Sequence, residues 1–107
     1  PGRADFVERV TVADARGLPP MTACPTFMPT AGGGVLDTGL LVNAGAHLFL
    51  TTHAGYHAQD VAHMRAHLAD FPGVSIAPLT GCALMDLQGP AAAAVLHSVC
   101  DCDGDVR

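Results

Sequence analysis

Val35-Leu36-Asp37-Thr38-Gly39-Leu40-Leu41-Val42, then Asn43-Ala44-Gly45-Ala46, then His47-Leu48-Phe49-Leu50-Thr51-Thr52-His53 is the stretch that decides the fold. Two apolar runs flank a short break in which Asn and Gly supply turn conformations, the pattern of an antiparallel hairpin. Strand alternation sends Asp37 and Thr38 to opposite faces of such a hairpin, so only one of them can look into a site built on either face.

Upstream, Gly32-Gly33-Gly34 reads as a loop. Met21 to Thr30 permits a strand, but Pro25 and Pro29 lack ladder donors and confine it to an edge or an irregular run. Residues 3 to 10 place Phe6, Val7 and Val10 on one apolar helical face, broken by Gly17-Leu18-Pro19-Pro20. Downstream, Val61, Met64, Leu68 and Phe71 form the stripe of an amphipathic helix over residues 57–71, stopped by Pro72-Gly73. Val74 to Pro78 and Cys82 to Leu87 are expected as short strands, and Pro90 as the first helical residue of an alanine-rich helix reaching about Val99. Helices segregated from hairpins point to an α+β fold, a mainly antiparallel sheet covered by helices.

Composition bounds the function. Five basic residues, all arginine and scattered singly, stand against ten acids for a net charge of −5, which argues against a phosphate-neutralising, nucleic-acid-binding face. No uninterrupted apolar run approaches the roughly 18 residues of a membrane span, so a soluble chain is expected. The 107 residues begin at Pro1, without a methionine, and half are hydrophobic. A single partial domain over residues 1–107, an interior slice of something longer, is the expectation. Cys24, Cys82, Cys100 and Cys102 are irregularly spaced, with Cys24 and Cys82 in apolar surroundings, and read as reduced thiols.

Few constellations suggest chemistry by themselves. The glycine triplet lacks both Gly-x-Gly-x-x-Gly and a following Gly-Lys-[Ser/Thr], and precedes a strand, so it reads as a loop and not a phosphate cradle. His63 and His67 have the i, i+4 spacing of a metal pair, with His57 and Asp60 on the same helix, but no His-Glu-x-x-His is present and all four read as solvated. His97-Ser98-Val99-Cys100-Asp101-Cys102 lacks a fourth zinc ligand, and the Asp101, Asp103, Asp105 alternation lacks the distal Glu of a calcium loop. No Gly-x-Ser-x-Gly occurs. No metal is expected, and no self-sufficient active site.

Three segments taken together do carry a resemblance. Gly33-Gly34-Val35-Leu36-Asp37-Thr38, Thr52-His53-Ala54-Gly55 leading into a helix with Asp60, and Leu84-Met85-Asp86-Leu87-Gln88-Gly89-Pro90-Ala91 resemble, in order and spacing, the folate-binding region of the glycine cleavage system T-protein family. The family pattern reads Gly-Gly-Ile-x-Asp-Asp-Leu-Ile-Val, then a strand ending Asn-Ala-Gly or Asn-Ala-Ala, a helix, and Ala-Leu-Leu-Ala-Leu-Gln-Gly-Pro-x-Ala. Phe6-Val7-Glu8 and Asp14-Ala15 extend the likeness over nearly the whole chain.

The resemblance implies an interior piece of the T-protein folate-binding fold. It also implies an aminomethyltransferase that passes a one-carbon unit from lipoylated H-protein to tetrahydrofolate, releasing ammonia. Partners would be the H-protein and the rest of the parent chain, and the location the mitochondrial matrix, or the cytoplasm in a bacterium. By resemblance, Asp37 is the candidate catalytic acid and Leu40 and Val42 the candidate folate-binding residues. The family's second Asp is replaced by Thr38 and its Asn by His53. Two readings therefore stand: a working transferase with Asp37 or Thr38 at the folate, or a catalytically inactive, folate-binding or structural subunit of a larger mitochondrial assembly.

Overall fold

In a computed structural model of the protein, residues 2–100 are described. They form α1 (Arg3–Val10), β1 (Thr22–Pro29), β2 (Val35–Asn43), β3 (Leu48–Leu50), α2 (His57–His67) and α3 (Ala92–Val99), with single 3-10 turns at Ala54–Tyr56 and Leu68–Asp70. The sheet order is β1-β2-β3 and both pairings are antiparallel, as an α+β reading requires.

Both prolines of β1 sit where the ladder tolerates them. The strand is an edge, Pro25 lies opposite Leu40, and Pro29 follows a register shift after Met28. The Gly32–Gly34 loop closes this first hairpin, with Thr30 N–H donating to the Gly34 carbonyl at 2.8 Å. In the second hairpin, Asn43 pairs with Leu48, and Asn43 Oδ1 accepts from Gly45 N–H at 2.9 Å. Gly45 holds φ at 76°, a conformation that favours glycine. The Arg3 guanidinium at the start of α1 clasps this turn, donating to the Gly45 carbonyl at 2.6 Å and also to that of Ala46.

The helices cover one face. Phe6, Val7 and Val10 of α1, Met28 of β1, Leu41 of β2 and Met64 of α2 are buried together, with Leu41 at 0% exposure in the middle. Val61, Leu68 and Phe71 complete the stripe, and Phe71 meets Phe6 edge to face with ring centroids 5.5 Å apart. Each such aliphatic or aromatic side chain contributes about 1.5–3 kcal/mol on burial.

Four expectations are corrected. Val74 to Pro78 alternates as a strand would, with Val74, Ile76 and Pro78 half-buried, but it forms no strand. Its side chains find the core, whereas a strand also needs a neighbouring strand, and none pairs with it among the described residues; Val74 N–H instead donates to the Phe71 carbonyl at 3.1 Å. Cys82 to Leu87 is likewise no strand: every residue is exposed, with Leu84 at 74% and Met85 at 86%. Composition favoured a strand there, but no described strand pairs with it. Cys82 is therefore an exposed thiol, while Cys24 is half-buried. Finally, α2 tightens into its 3-10 turn after His67, and α3 starts at Ala92, leaving Pro90 in the preceding turn. The polar tail with Asp101, Cys102, Asp103 and Asp105 lies outside the described residues.

Candidate functional site

The site forms where the sheet loses its third strand. β3 ends at Leu50, and the chain crosses close over Gly39. Thr51 N–H donates to the Leu40 carbonyl at 2.9 Å, and Leu40 N–H donates to Thr51 Oγ1 at 2.8 Å. A Cβ on residue 39 would lie 1.9 Å from the Thr51 carbonyl oxygen, so only glycine admits this crossing. The crossing delivers His53 to Asp37. The His53 N–H donates to Asp37 Oδ2 at 2.8 Å, and its ring Nδ1 lies 2.8 Å from Asp37 Oδ1.

From His53 the chain turns directly into α2, whose first turn carries Asp60. Asp60 is fully buried and faces Asp37, a side chain only 3% exposed. His53 opens outward, its side chain 64% exposed. Three titratable groups thus run from solvent to interior in the order His53, Asp37, Asp60.

Their charges are set by that order. Burial alone would raise the Asp37 carboxyl, but the His53 and Thr38 N–H groups, then the His53 ring, then Asp60, outweigh it and hold Asp37 below its ordinary value. For Asp60, burial comes first, followed by the hydrogen bond to Asp37 and the Asp37 charge. His57 and His53 oppose them, and the result is a carboxyl pushed up to about 6. Among the described residues, no N–H or hydroxyl donor reaches either Asp60 oxygen. The hydrogen bond between the two carboxyls therefore exists only when a proton lies between them.

Beside this cluster, an open groove of about 890 Å³ lies between α1, β3, α2 and residues 73–84; Val42, Leu48, Thr52, His57 and Ile76 are among its lining residues. That volume lies in the range of small-molecule sites. The structure thus unites Asp37 with His53 and places Val42 on the groove. Leu40 is not among the groove's lining residues: it is 46% exposed on the face of β2 that also carries exposed Thr38, opposite to Asp37 and Leu41. His63 and His67 stack edge to face at 5.1 Å; burial, then His67, holds His63 below its ordinary pKa. No group of three or more metal-ligating side chains gathers among the described residues.

Two residues escape the sequence reading. Asp60 is expected in solvent, yet it is buried beneath the sheet; its i, i+4 relation to Met64 is the available signal. Gly39 draws no notice in the sequence, although it stands where the family pattern has leucine.

Comparison with known proteins agrees with the resemblance. The profile of the GCVT N-terminal domain matches residues 1–107. The mitochondrial aminomethyltransferase of Solanum tuberosum is 33% identical over 97 residues, covering 86% of this chain and 24% of that protein. That of Dictyostelium discoideum is 28% identical over 101 residues, covering 89% and 25%. The Pisum sativum protein of the same name is 32% identical over 97 residues, covering 86% and 24%. The chain thus spans about a quarter of the length of the relatives it matches. With the profile matched from end to end and the Asp37 strand, the His53 turn and the Gly89-Pro90 turn in the family's order, this chain belongs to the glycine cleavage T-protein family.

Proposed function

We propose that the protein of which this chain forms part is the aminomethyltransferase of the glycine cleavage system. It takes an aminomethyl-derived one-carbon unit from lipoylated H-protein to tetrahydrofolate, with release of ammonia, in the mitochondrial matrix. The observation that carries this reading is the buried Asp37 carboxylate joined to an outward-facing His53, the residue that follows Thr52 of the groove lining. A fold that had kept only a structural role would have no use for two facing carboxylates in its interior, one of them unpaired except through a proton, because such a pair costs stability.

The residues present fit a planar, hydrogen-bonding ligand: the groove is of suitable size, Val42 and Ile76 give it apolar walls, and Thr52 and His57 give it polar ones. Those four would hold tetrahydrofolate, which supplies when bound the nitrogen that accepts the carbon unit. Asp37 is the acid of the site. Its charge, sheltered from water, stabilises positive charge arising on the adjoining His53 ring more strongly than an exposed carboxylate would. Leu40, two residues before Val42 on the same face of β2, extends the apolar surface beside it.

Calorimetric titration of the full-length protein with tetrahydrofolate, paired with an ammonia-release assay on lipoylated H-protein, tests the proposal. Binding with release of ammonia is expected. Binding without release would favour the catalytically inactive, folate-binding subunit, and no binding would overturn the transferase reading in favour of a structural subunit.

A further inference from the structure

We infer that His53 is the proton carrier of this site and that Asp37 is its positioning residue. This inference rests on the transferase reading above. The geometry is specific. Asp37 takes two hydrogen bonds from one residue, the His53 N–H on Oδ2 and the ring Nδ1 on Oδ1, both at 2.8 Å. A carboxylate accepts but does not donate, so the ring nitrogen facing it carries the proton. That leaves Nε2 as the free, basic nitrogen. Two anchors on one carboxylate fix both the backbone and the plane of the imidazole, while 64% of the side chain stays exposed, next in sequence to Thr52 of the groove lining.

Of the ionisable groups clustered here, His53 is the one suited to proton exchange with a ligand. Asp37 from β2 is 3% exposed and already bonded, and Asp60 from α2 is wholly buried. His57, also on α2, lines the groove but has no carboxylate hydrogen-bonded to its ring among the described contacts. The family pattern has an asparagine at position 53, which can hydrogen-bond but cannot exchange a proton, so this assignment belongs to the present chain.

The step balances within the proposed reaction. As the attacking nitrogen forms its bond to the transferred carbon, its displaced N–H proton passes to Nε2 of His53. The imidazolium is stabilised by Asp37 across Nδ1. The proton then passes to the amine nitrogen, which leaves as ammonia with the electron pair of its broken C–N bond. The second tetrahydrofolate nitrogen bonds the same carbon as the C–S bond breaks with its electron pair on the lipoyl sulfur, and the second N–H proton passes by way of His53 to that sulfur, which leaves as the thiol. His53 ends neutral, and no oxidant or reductant is involved.

The test uses the full-length protein and two readouts. His53→Asn keeps the backbone N–H to Asp37 and offers an amide in place of the ring. It is expected to lower kcat on the order of 100-fold while leaving KM for tetrahydrofolate within about twofold, and to abolish the limb of the pH–rate profile that reports the imidazole. Added imidazole is expected to restore part of the rate of His53→Gly. Wild-type and His53→Asn proteins that turn over alike would overturn the inference. Nitrogen-15 spectra of the imidazole are expected to show the proton on Nδ1 at neutral pH, and a proton on Nε2 in the neutral ring would overturn it whether or not the protein is active. A wild-type protein without transferase activity would instead overturn the functional reading, an outcome distinct from equal turnover of the two proteins.

Discussion

The carboxyl of Asp60 lies fully buried against that of Asp37, so that helix α2 and strand β2 meet across two acids and not across an ion pair. Removing two carboxylates from water to face one another opposes folding unless a proton joins them.

The pH dependence follows in sign from each acid. Asp60 has a folded pKa of about 6 against an ordinary 3.8, so the folded state keeps its proton at pH values where the unfolded chain has lost it. Its contribution therefore weakens folding as pH rises from about 4 through 6, by about 3 kcal/mol at most. Asp37 has the opposite sign: its folded pKa lies below 3.8, and its stabilisation is lost as pH falls through that lower value. In the full-length protein, Asp60→Asn is expected to flatten the loss of thermal stability between pH 5 and 8 and to raise stability at pH 8 by roughly 1–3 kcal/mol, since an amide donates to Asp37 without a charge. Melting curves across that range check it, and a lower melting temperature for Asp60→Asn at pH 8 would count against the shared proton.

Replacing the other acid has a different consequence. In Asp37→Asn the neighbouring charge is gone and the new amide donates to Asp60. Asp60 is therefore expected to titrate below its present value, readable by carbon-13 carboxyl chemical shifts. The His53 N–H loses a charged acceptor, at a cost of about 1.5–3 kcal/mol. An Asp60 that titrates as before would show that Asp37 does not control it.

Gly39→Ala tests the crossing. Its Cβ would fall 1.9 Å from the Thr51 oxygen, so backbone must move. A loss of roughly 1–3 kcal/mol is expected. The Asp37 to His53 hydrogen bonds are expected to weaken with it, seen as faster exchange of the His53 amide. A Gly39→Ala protein as stable as wild type would show that the Thr51 segment is free to shift.

Thr38→Asp restores the acid of the family pattern on the exposed face of β2, opposite Phe27. Stability is expected to change by no more than about 0.5 kcal/mol. Turnover is expected to stay within about twofold, because Asp37 already occupies the inward side of the strand. A tenfold rise in ammonia release would place the acceptor on the open face instead.

The hairpins, α1 and α2 are legible in the sequence because each reports itself locally: apolar side chains at a period of two or near 3.6, bounded by Gly, Asn and Pro. Val74 to Pro78 misleads because alternation records only where side chains go, while strand formation depends on a partner distant in sequence. Leu84-Met85 misleads for a related reason, since apolar composition does not say what covers it. At the site, the opposite facing of Asp37 and Thr38 is available from alternation alone. The meeting of Asp37 with Asp60 is not, because it depends on how far the chain travels between β3 and α2, and that path is set by the hydrogen bonds at Leu40 and Thr51.

The approach of Thr51 over Gly39 divides the site by how freely each part can change. Position 39 has no room for a side chain, so the path of the backbone around Asp37 is closed to gradual substitution. Position 53 hangs its side chain outward from a backbone already anchored by its own N–H, so its chemistry can be exchanged without repacking the core. A designer wishing to retune the reactivity of this rim has one accessible coordinate, residue 53, on a frame that a single missing methyl group holds in place.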